Sequence, residues 1–384
     1  MVMAEFNLVS CRFHSVLFQR NLQKLRMLQF VYSKEDLLER TLTPDGHGRV
    51  QLSKFDEVLR STWDEAAENG YFRYQLEELQ TKILPGPMQY VVQLNIKRAV
   101  ERRPAQNIVH VNQPFNPDLF NFTKVKTNEI LLELQPQRNG NDSTVINDTQ
   151  RSNHNAIIIN VSPLEQYHVL IVPRRFECLP QSLSEDAIHL ALDTLLLSSQ
   201  RSFRVGFNSL CGLASVNHQH FHGYDCQYKI PIETAAARHV IGQCFELADW
   251  PVRGFIFQLK GSTVERTASA VYKVASVLQR KEIAHNLFMT RGDELNPDGP
   301  ITEQTVRIIL WPRHSSFGVR KDAASVNPAG FNVALCELAG HIPVFLQDIF
   351  DAMTEEMAKE VIRKRSLPLE EFEALKDEVR EVFR

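Results

Sequence analysis

Residues 214–224 read ASVNHQHFHGY, and the alternation of His218, His220 and His222 decides how the surrounding chain is read. Alternate side chains of a β-strand share one face. A strand over Ala214–Tyr224 therefore projects the three imidazoles together and sends Gln219 and Phe221 to the other side. Upstream, Phe203–Phe207 reads as another strand. Before it, Ile188, Leu192, Leu195 and Leu196 mark a helix whose start is signalled by Ser182 and Glu185 at capping-box spacing. Ile157–Val161 and His168–Val172 read as two earlier strands, the second closed by Pro173. The order is strand, strand, helix, strand, strand.

A fainter version follows: a strand over Phe255–Leu259, a helix marked by Ala268, Val271, Ala275 and Leu278, then strands over Leu287–Thr290 and Val306–Trp311. Two such units predict an α+β protein, an antiparallel-sheet fold of the histidine-triad kind built from two related halves. The second half lacks the histidine triplet, because Arg307–Arg313 occupies the corresponding strand. Outside the halves, the spacing of Phe55, Val58, Leu59, Trp63 and Ala66 predicts a packing helix ended by Gly70. Tyr90–Leu94 and Ile130–Leu134 read as extended, and the polar stretch 135–153 as an exposed loop. The expected organisation is a basic extension over 1–48, a histidine-bearing half over 49–240, a degenerate half over 241–345 and a helical tail over 346–384 that packs on its own domain.

The 384 residues include 43 basic and 46 acidic side chains, a formal net charge of −3, so no overall positive field draws the chain to nucleic acid or anionic lipid. No apolar run is long enough to span a bilayer. The six cysteines are scattered without a CxxC pair, which suits a reducing compartment and argues against thiolate-held structural zinc. The first 34 residues carry Arg12, Arg20, Lys24, Arg26 and Lys34 against Glu5; a plain basic extension is the simpler reading, with an organelle-targeting segment the other. The expected location is cytoplasmic.

Three readings of the triplet compete. A polar sheet face is a poor use of three of the chain's 13 histidines, since half-buried imidazoles are demanding to satisfy. A metal site would need a further ligand; Asp225 has the wrong parity, and His285 or Glu337 would have to come from a distance. The third reading is nucleophilic catalysis at phosphorus, in which a neutral imidazole forms a phosphoramidate that a second acceptor resolves.

With Ser215 three residues before the first histidine, the triplet resembles the histidine triad superfamily of nucleotide hydrolases and transferases. The resemblance narrows through Gln113-Pro114-Phe115-Asn116-Pro117, Phe120-Asn121-Phe122-Thr123-Lys124, Ile159–Glu165 with His168, Gly212–His218, Glu282–Phe288 and Phe331–His341. In this order, over roughly residues 50–345, they look like the GDP-D-glucose phosphorylase family, animal relatives of the plant GDP-L-galactose phosphorylases. The resemblance makes His220 the nucleophile, and it makes His218, His222, Ser215 and Asn208 substrate-binding residues. Asn208 is displaced by one position. Gln219 departs from the family's apolar spacer, and Ala214 from the glutamine of small triad hydrolases. The histidine at 222, where plant enzymes carry Gln, favours the animal type.

That resemblance implies phosphorolysis: GDP-glucose and inorganic phosphate give GDP and glucose 1-phosphate through a guanylyl-histidine, with no cofactor and no metal. Protein partners are not indicated. The alternatives are a nucleotide-sugar hydrolase, a hexose-1-phosphate uridylyltransferase, a His-ligated metal enzyme and a non-catalytic GDP-binding module. Arg291, Arg313, His314, Lys124 and Arg174 are further candidates for phosphate or sugar contacts, and Asn286 and His285 either face the nucleotide or end a strand.

Overall fold

The computed structural model describes residues 27–40, 51–137, 155–295, 303–317 and 329–384. The basic stretch before residue 27, the turn at 42–48 and most of the 135–153 loop lie outside these. In chain order the strands are β1 (Gln29–Tyr32), β2 (Thr81–Ile83), β3 (Val91–Leu94), β4 (Ile130–Pro136), β5 (Asn155–Ile159), β6 (Gln166–Val172) and β7 (Phe203–Asn208). There follow β8 (Phe221–Asp225), β9 (Ala237–Ile241), β10 (Cys244–Leu247), β11 (Phe255–Gln258), β12 (Ala284–Asp293), β13 (Gln304–Arg313) and β14 (His341–Val344). The helices are α1 (Lys54–Glu68), α2 (Ile96–Val100), α3 (Glu185–Leu197), α4 (Val264–Arg280), α5 (Leu335–Ala339), α6 (Gln347–Ala352), α7 (Glu355–Arg363) and α8 (Leu369–Phe383).

One large sheet has the order β1-β4-β5-β6-β8-β7-β12-β13-β11-β10-β9, antiparallel except for the β1–β4 pair. Its centre is the β7–β12 pair, where Asn208 stands opposite Asn286. Outward from that pair the order repeats: β8 then β6 on one side, β13 then β11 on the other. Helix α3 leads from β6 to β7, as α4 leads from β11 to β12. The fold is mixed α+β with a sheet that is overwhelmingly antiparallel. Residues 237–240, assigned by sequence to the first half, pair through β9 with β10 and so sit at the far edge of the second.

Both faces of the sheet are covered, which explains why its central strands are apolar at nearly every position. Phe255, Phe257, Leu287, Met289, Ile308 and Leu310 point to the core beneath α1, α3, α4 and α8. The intervening Ile256, Phe288, Ile309 and Trp311 enter a second core beneath α5 and the small sheet β14-β3-β2, as the twofold strand period requires. Helix α1 begins where Ser53 accepts a bond from the Asp56 N–H and Asp56 reaches back to the Ser53 N–H, a reciprocal cap. Helix α3 is capped not by Ser182 but by Ser184, which accepts from Ala187; the Ser182 carbonyl instead receives the Gln219 side chain. The tail packs back on the second half, with Phe372 of α8 against Phe255. No described helix is long and apolar enough to cross a membrane.

Candidate active site

The histidine stretch is not a strand throughout. β8 begins at Phe221, and residues 215–220 form a loop, so the three imidazoles do not share one strand face. The reason lies in what the loop's backbone bonds to. The Asn217 N–H donates to Gln106 Oε1, the Gln219 N–H to the Leu179 carbonyl, and the His220 N–H to Gln181 Oε1 at 2.8 Å, while Gln181 Nε2 donates back to the His220 carbonyl at 3.0 Å. Side chains and a loop carbonyl take the bonds a neighbouring strand would have made. Gln181, 39 residues away in sequence, clamps the His220 backbone, and no motif announces it.

An open cavity of about 170 Å³ lies on the small-sheet side of the first half. His220, His222, Ser215, Asn208, Arg98 and Glu337 are among its lining residues. Four of the five expected site residues thus converge. The fifth, His218, does not line the cavity: it is fully buried, packed against Phe115 and Phe122, and its Nδ1 accepts the Phe122 N–H at 3.1 Å. Its contribution is its carbonyl, 2.7 Å from His220 Nδ1. A carbonyl oxygen only accepts, so His220 carries its proton on Nδ1 and keeps the Nε2 lone pair. Burial lowers its pKa from 6.5 to about 4, because charging a ring out of contact with water is costly. At neutral pH this ring is uncharged, with a proton on Nδ1 and a free lone pair on Nε2.

The same reasoning fixes His222. The Leu164 N–H donates to His168 Nδ1 at 2.8 Å, which puts the His168 proton on Nε2. That nitrogen lies 3.1 Å from His222 Nδ1, so His222 accepts there and presents Nε2–H as a donor. Burial, with the neighbouring imidazoles and Arg98, holds both rings well below the usual histidine range. His168 stands in a motif used for the resemblance, but its pairing with His222 becomes visible only when β6 and β8 lie side by side.

Asn208 is held from the second half. Its Oδ1 accepts from Asn286 Nδ2 at 2.6 Å and from the Leu335 N–H at 3.1 Å, which leaves its own amide N–H₂ for the cavity. Asn286 also donates to the Gly212 carbonyl at 2.7 Å and accepts from Arg313 at 3.1 Å. Asn286 and Arg313 are therefore supports behind Asn208 and line no part of the cavity. Gly206, opposite His222 in register, is required by close approach: a Cβ there would lie 2.9 Å from the Leu287 carbonyl and 3.0 Å from the Leu335 side chain.

The other candidates lie elsewhere. Arg291 is buried and donates to the carbonyls of Leu38, Ser198 and Gln200. Lys124 closes its own loop through the Pro117, Asp118 and Leu119 carbonyls, and Arg174 pairs with Glu177 and Asp186. His285 turns Nδ1 to the Ile283 carbonyl and stacks on Phe207, and His314 is exposed. The cations at the cavity are Arg98, Arg102 and Arg103, from α2 and the turn after it. Sequence reading missed them because helix α2 is short and its arginines resemble ordinary surface charge. Burial raises the Glu337 pKa, so its carboxyl resists ionisation at the cavity wall. Among the described residues, the group of three potential metal ligands held close together is Glu165, Cys226 and His341; the triplet histidines do not form one.

Two family descriptions match the chain: "GDPGP1-like, N-terminal domain" over residues 54–224 and "GDPGP1-like, C-terminal domain" over residues 228–384. The chain is 42% identical over 352 residues to GDP-D-glucose phosphorylase 1 of Danio rerio, covering 91% of this chain and 96% of the relative. It is 29% identical over 330 residues to GDP-L-galactose phosphorylase 2 of Arabidopsis thaliana, covering 83% and 74%. Yeast Ap4A phosphorylase Apa2 in complex with Ap4A superposes with a TM-score of 0.54 at 15% identity, covering 82% of this chain and 98% of that one, a likeness of fold.

Proposed function

We propose, because this chain belongs to the GDPGP1-like family, that it is a nucleotidyltransferase which phosphorolyses GDP-D-glucose to GDP and glucose 1-phosphate through a guanylyl group on His220. The observation that carries the mechanism is the 2.7 Å contact between His220 Nδ1 and the His218 carbonyl, which assigns the Nε2 lone pair to the cavity. In the first half-reaction His220 Nε2 attacks the α-phosphorus, forming a P–N bond as the bond to the glucose 1-phosphate oxygen breaks. In the second, an oxygen of inorganic phosphate attacks the same phosphorus, the P–N bond breaks, and GDP leaves with His220 neutral again.

The leaving group is already an anionic sugar phosphate and needs little protonation. His222 Nε2–H, the Ser215 hydroxyl and the Asn208 amide are accordingly donors to the equatorial oxygens, where charge accumulates in the transition state. Arg98, Arg102 and Arg103 supply positive potential for the phosphates at the cavity mouth. The halves derive from one unit, and the second serves as support, without a nucleophile of its own. We place the reaction in the cytoplasm, because scattered cysteines without a CxxC pair suit a reducing compartment.

The deciding experiment is intact-protein mass after brief incubation with GDP-glucose in phosphate-free buffer. The expected result is a guanylyl adduct in the wild type, absent in His220→Ala and discharged as GDP on adding phosphate. Consumption of substrate with no adduct would end the covalent mechanism. His222→Ala should still form the adduct, more slowly.

A further inference from the structure

Outside the reaction site, the fold gathers three residues that are far apart in sequence: Glu165 in the turn between β5 and β6, Cys226 just after β8, and His341 at the start of β14. One ligand atom from each lies within 4.8 Å of the other two. We propose that Glu165, Cys226 and His341 bind a zinc ion that ties the small sheet to the first half of the large sheet.

The hydrogen bonding around His341 is the second observation. Gln93, itself buried, directs its side-chain N–H₂ to Glu165 Oε2 at 2.6 Å and its Oε1 to His341 Nε2. The oxygen can only accept, so His341 carries its proton on Nε2. Its Nδ1 keeps a lone pair that is fully buried and has no hydrogen-bond partner. A ligating histidine commonly donates its other N–H to a fixed oxygen, and Gln93 supplies that oxygen.

The donor set selects the metal. A thiolate with an imidazole favours zinc over magnesium or calcium, and one carboxylate completes three protein ligands with a fourth position for water. Glu165 and the Cys226 thiolate together balance the dication. Cys226 binds as a thiolate, so loading releases the thiol proton. Donors on a tetrahedral zinc stand about 3.3–3.8 Å apart, inside the 4.8 Å within which the three ligand atoms lie here. The ion would sit behind the cavity wall, because Leu164 and Tyr224, beside Glu165 and Cys226, line the cavity and the Tyr224 ring is 5.9 Å from that of His341.

The test uses the full chain purified without a metal-affinity step. Elemental analysis should find one zinc per chain. After chelation, the protein should take up one equivalent of cobalt(II) with tetrahedral ligand-field bands and a thiolate charge-transfer band. Cys226→Ser should remove the charge-transfer band, and Glu165→Gln or His341→Gln should weaken zinc binding by about 10–100-fold, with folding of each variant checked by circular dichroism. If Cys226→Ser fails to fold, the half-buried Glu165→Gln carries the same comparison. Folded wild-type protein that holds no zinc and takes up no cobalt overturns the proposal, as does a charge-transfer band that survives in Cys226→Ser or zinc affinity unchanged in folded Glu165→Gln.

Discussion

Strands β8 and β13 occupy corresponding places in the sheet, each one removed from the central β7–β12 pair, yet the side chains they carry do opposite things. Around β8 the polar groups are imidazoles turned so that ring nitrogens reach the cavity. Along β13 they are arginines whose positive ends are consumed by carbonyls: Arg307 by those of Asp293, Ile232 and Ala235, and Arg313 by that of Val333 and by Asn286. A position in a sheet provides a place for chemistry and does not supply it. What differs is whether the buried polar groups are left a free valence. The second strand still matters to the first, because Arg313 supports Asn286, and Asn286 holds Asn208.

The largest way to sharpen this contrast is His220→Ala. Turnover with GDP-glucose and phosphate should fall by about 10³-fold or more, with circular dichroism unchanged; residual activity within tenfold of wild type would place the nucleophile elsewhere. On the other side, Arg307→Met should cost on the order of 2–3 kcal/mol of stability, since the buried carbonyls of Ile232 and Ala235 and the part-buried one of Asp293 lose their donor, while kcat of the folded fraction stays as it was. A drop in kcat there would mean that the second half takes part directly.

His168→Phe removes the partner that orients His222, so kcat should fall about 10–100-fold with adduct formation still detectable. Restoration by His168→Gln, whose amide can donate to His222 Nδ1, would confirm a positioning role. Asn286→Ala tests the link between the halves: a kcat loss of roughly tenfold is expected, and no loss would mean Asn208 stands without its support.

The smallest effect concerns pH. The His220 pKa is about 4 in the folded chain against about 6.5 when unfolded, so the unfolded chain binds the extra proton between those values. Stability is then fully present above pH 6.5 and lost as pH falls toward 4, by on the order of 1 kcal/mol per such histidine near pH 5.5. Denaturant midpoints measured from pH 7.5 to 5 check this. The rate of adduct formation should stay flat from pH 8 to 6, since the nitrogen remains unprotonated throughout.

Local periodicity made the elements legible because each strand or helix buries a face and so repeats apolar residues at its own spacing. Helices α1, α3 and α4 and strands β5, β6, β7, β11, β12 and β13 were readable in that way. The same reading overran at residues 214–220, where alternation looks like a strand but the backbone bonds go to Gln106, Gln181 and Leu179. Alternation records which way side chains can point and not what the backbone pairs with.

The sequence by itself determined the family and singled out His220 as the expected reacting group, because three histidines at this spacing after Ser215, with five further motifs in order, need no distant information. Only the tertiary structure decided which nitrogen of His220 is free, that His168 orients His222, that His218 works through its carbonyl, and that Arg98, Arg102 and Arg103 face the cavity. The groups that fix the tautomers of His220 and His168 lie only two and four positions away, but the loop that turns them toward the rings is held by Gln181 and Gln106 and His222 meets His168 across 54 positions, and no local pattern encodes such encounters.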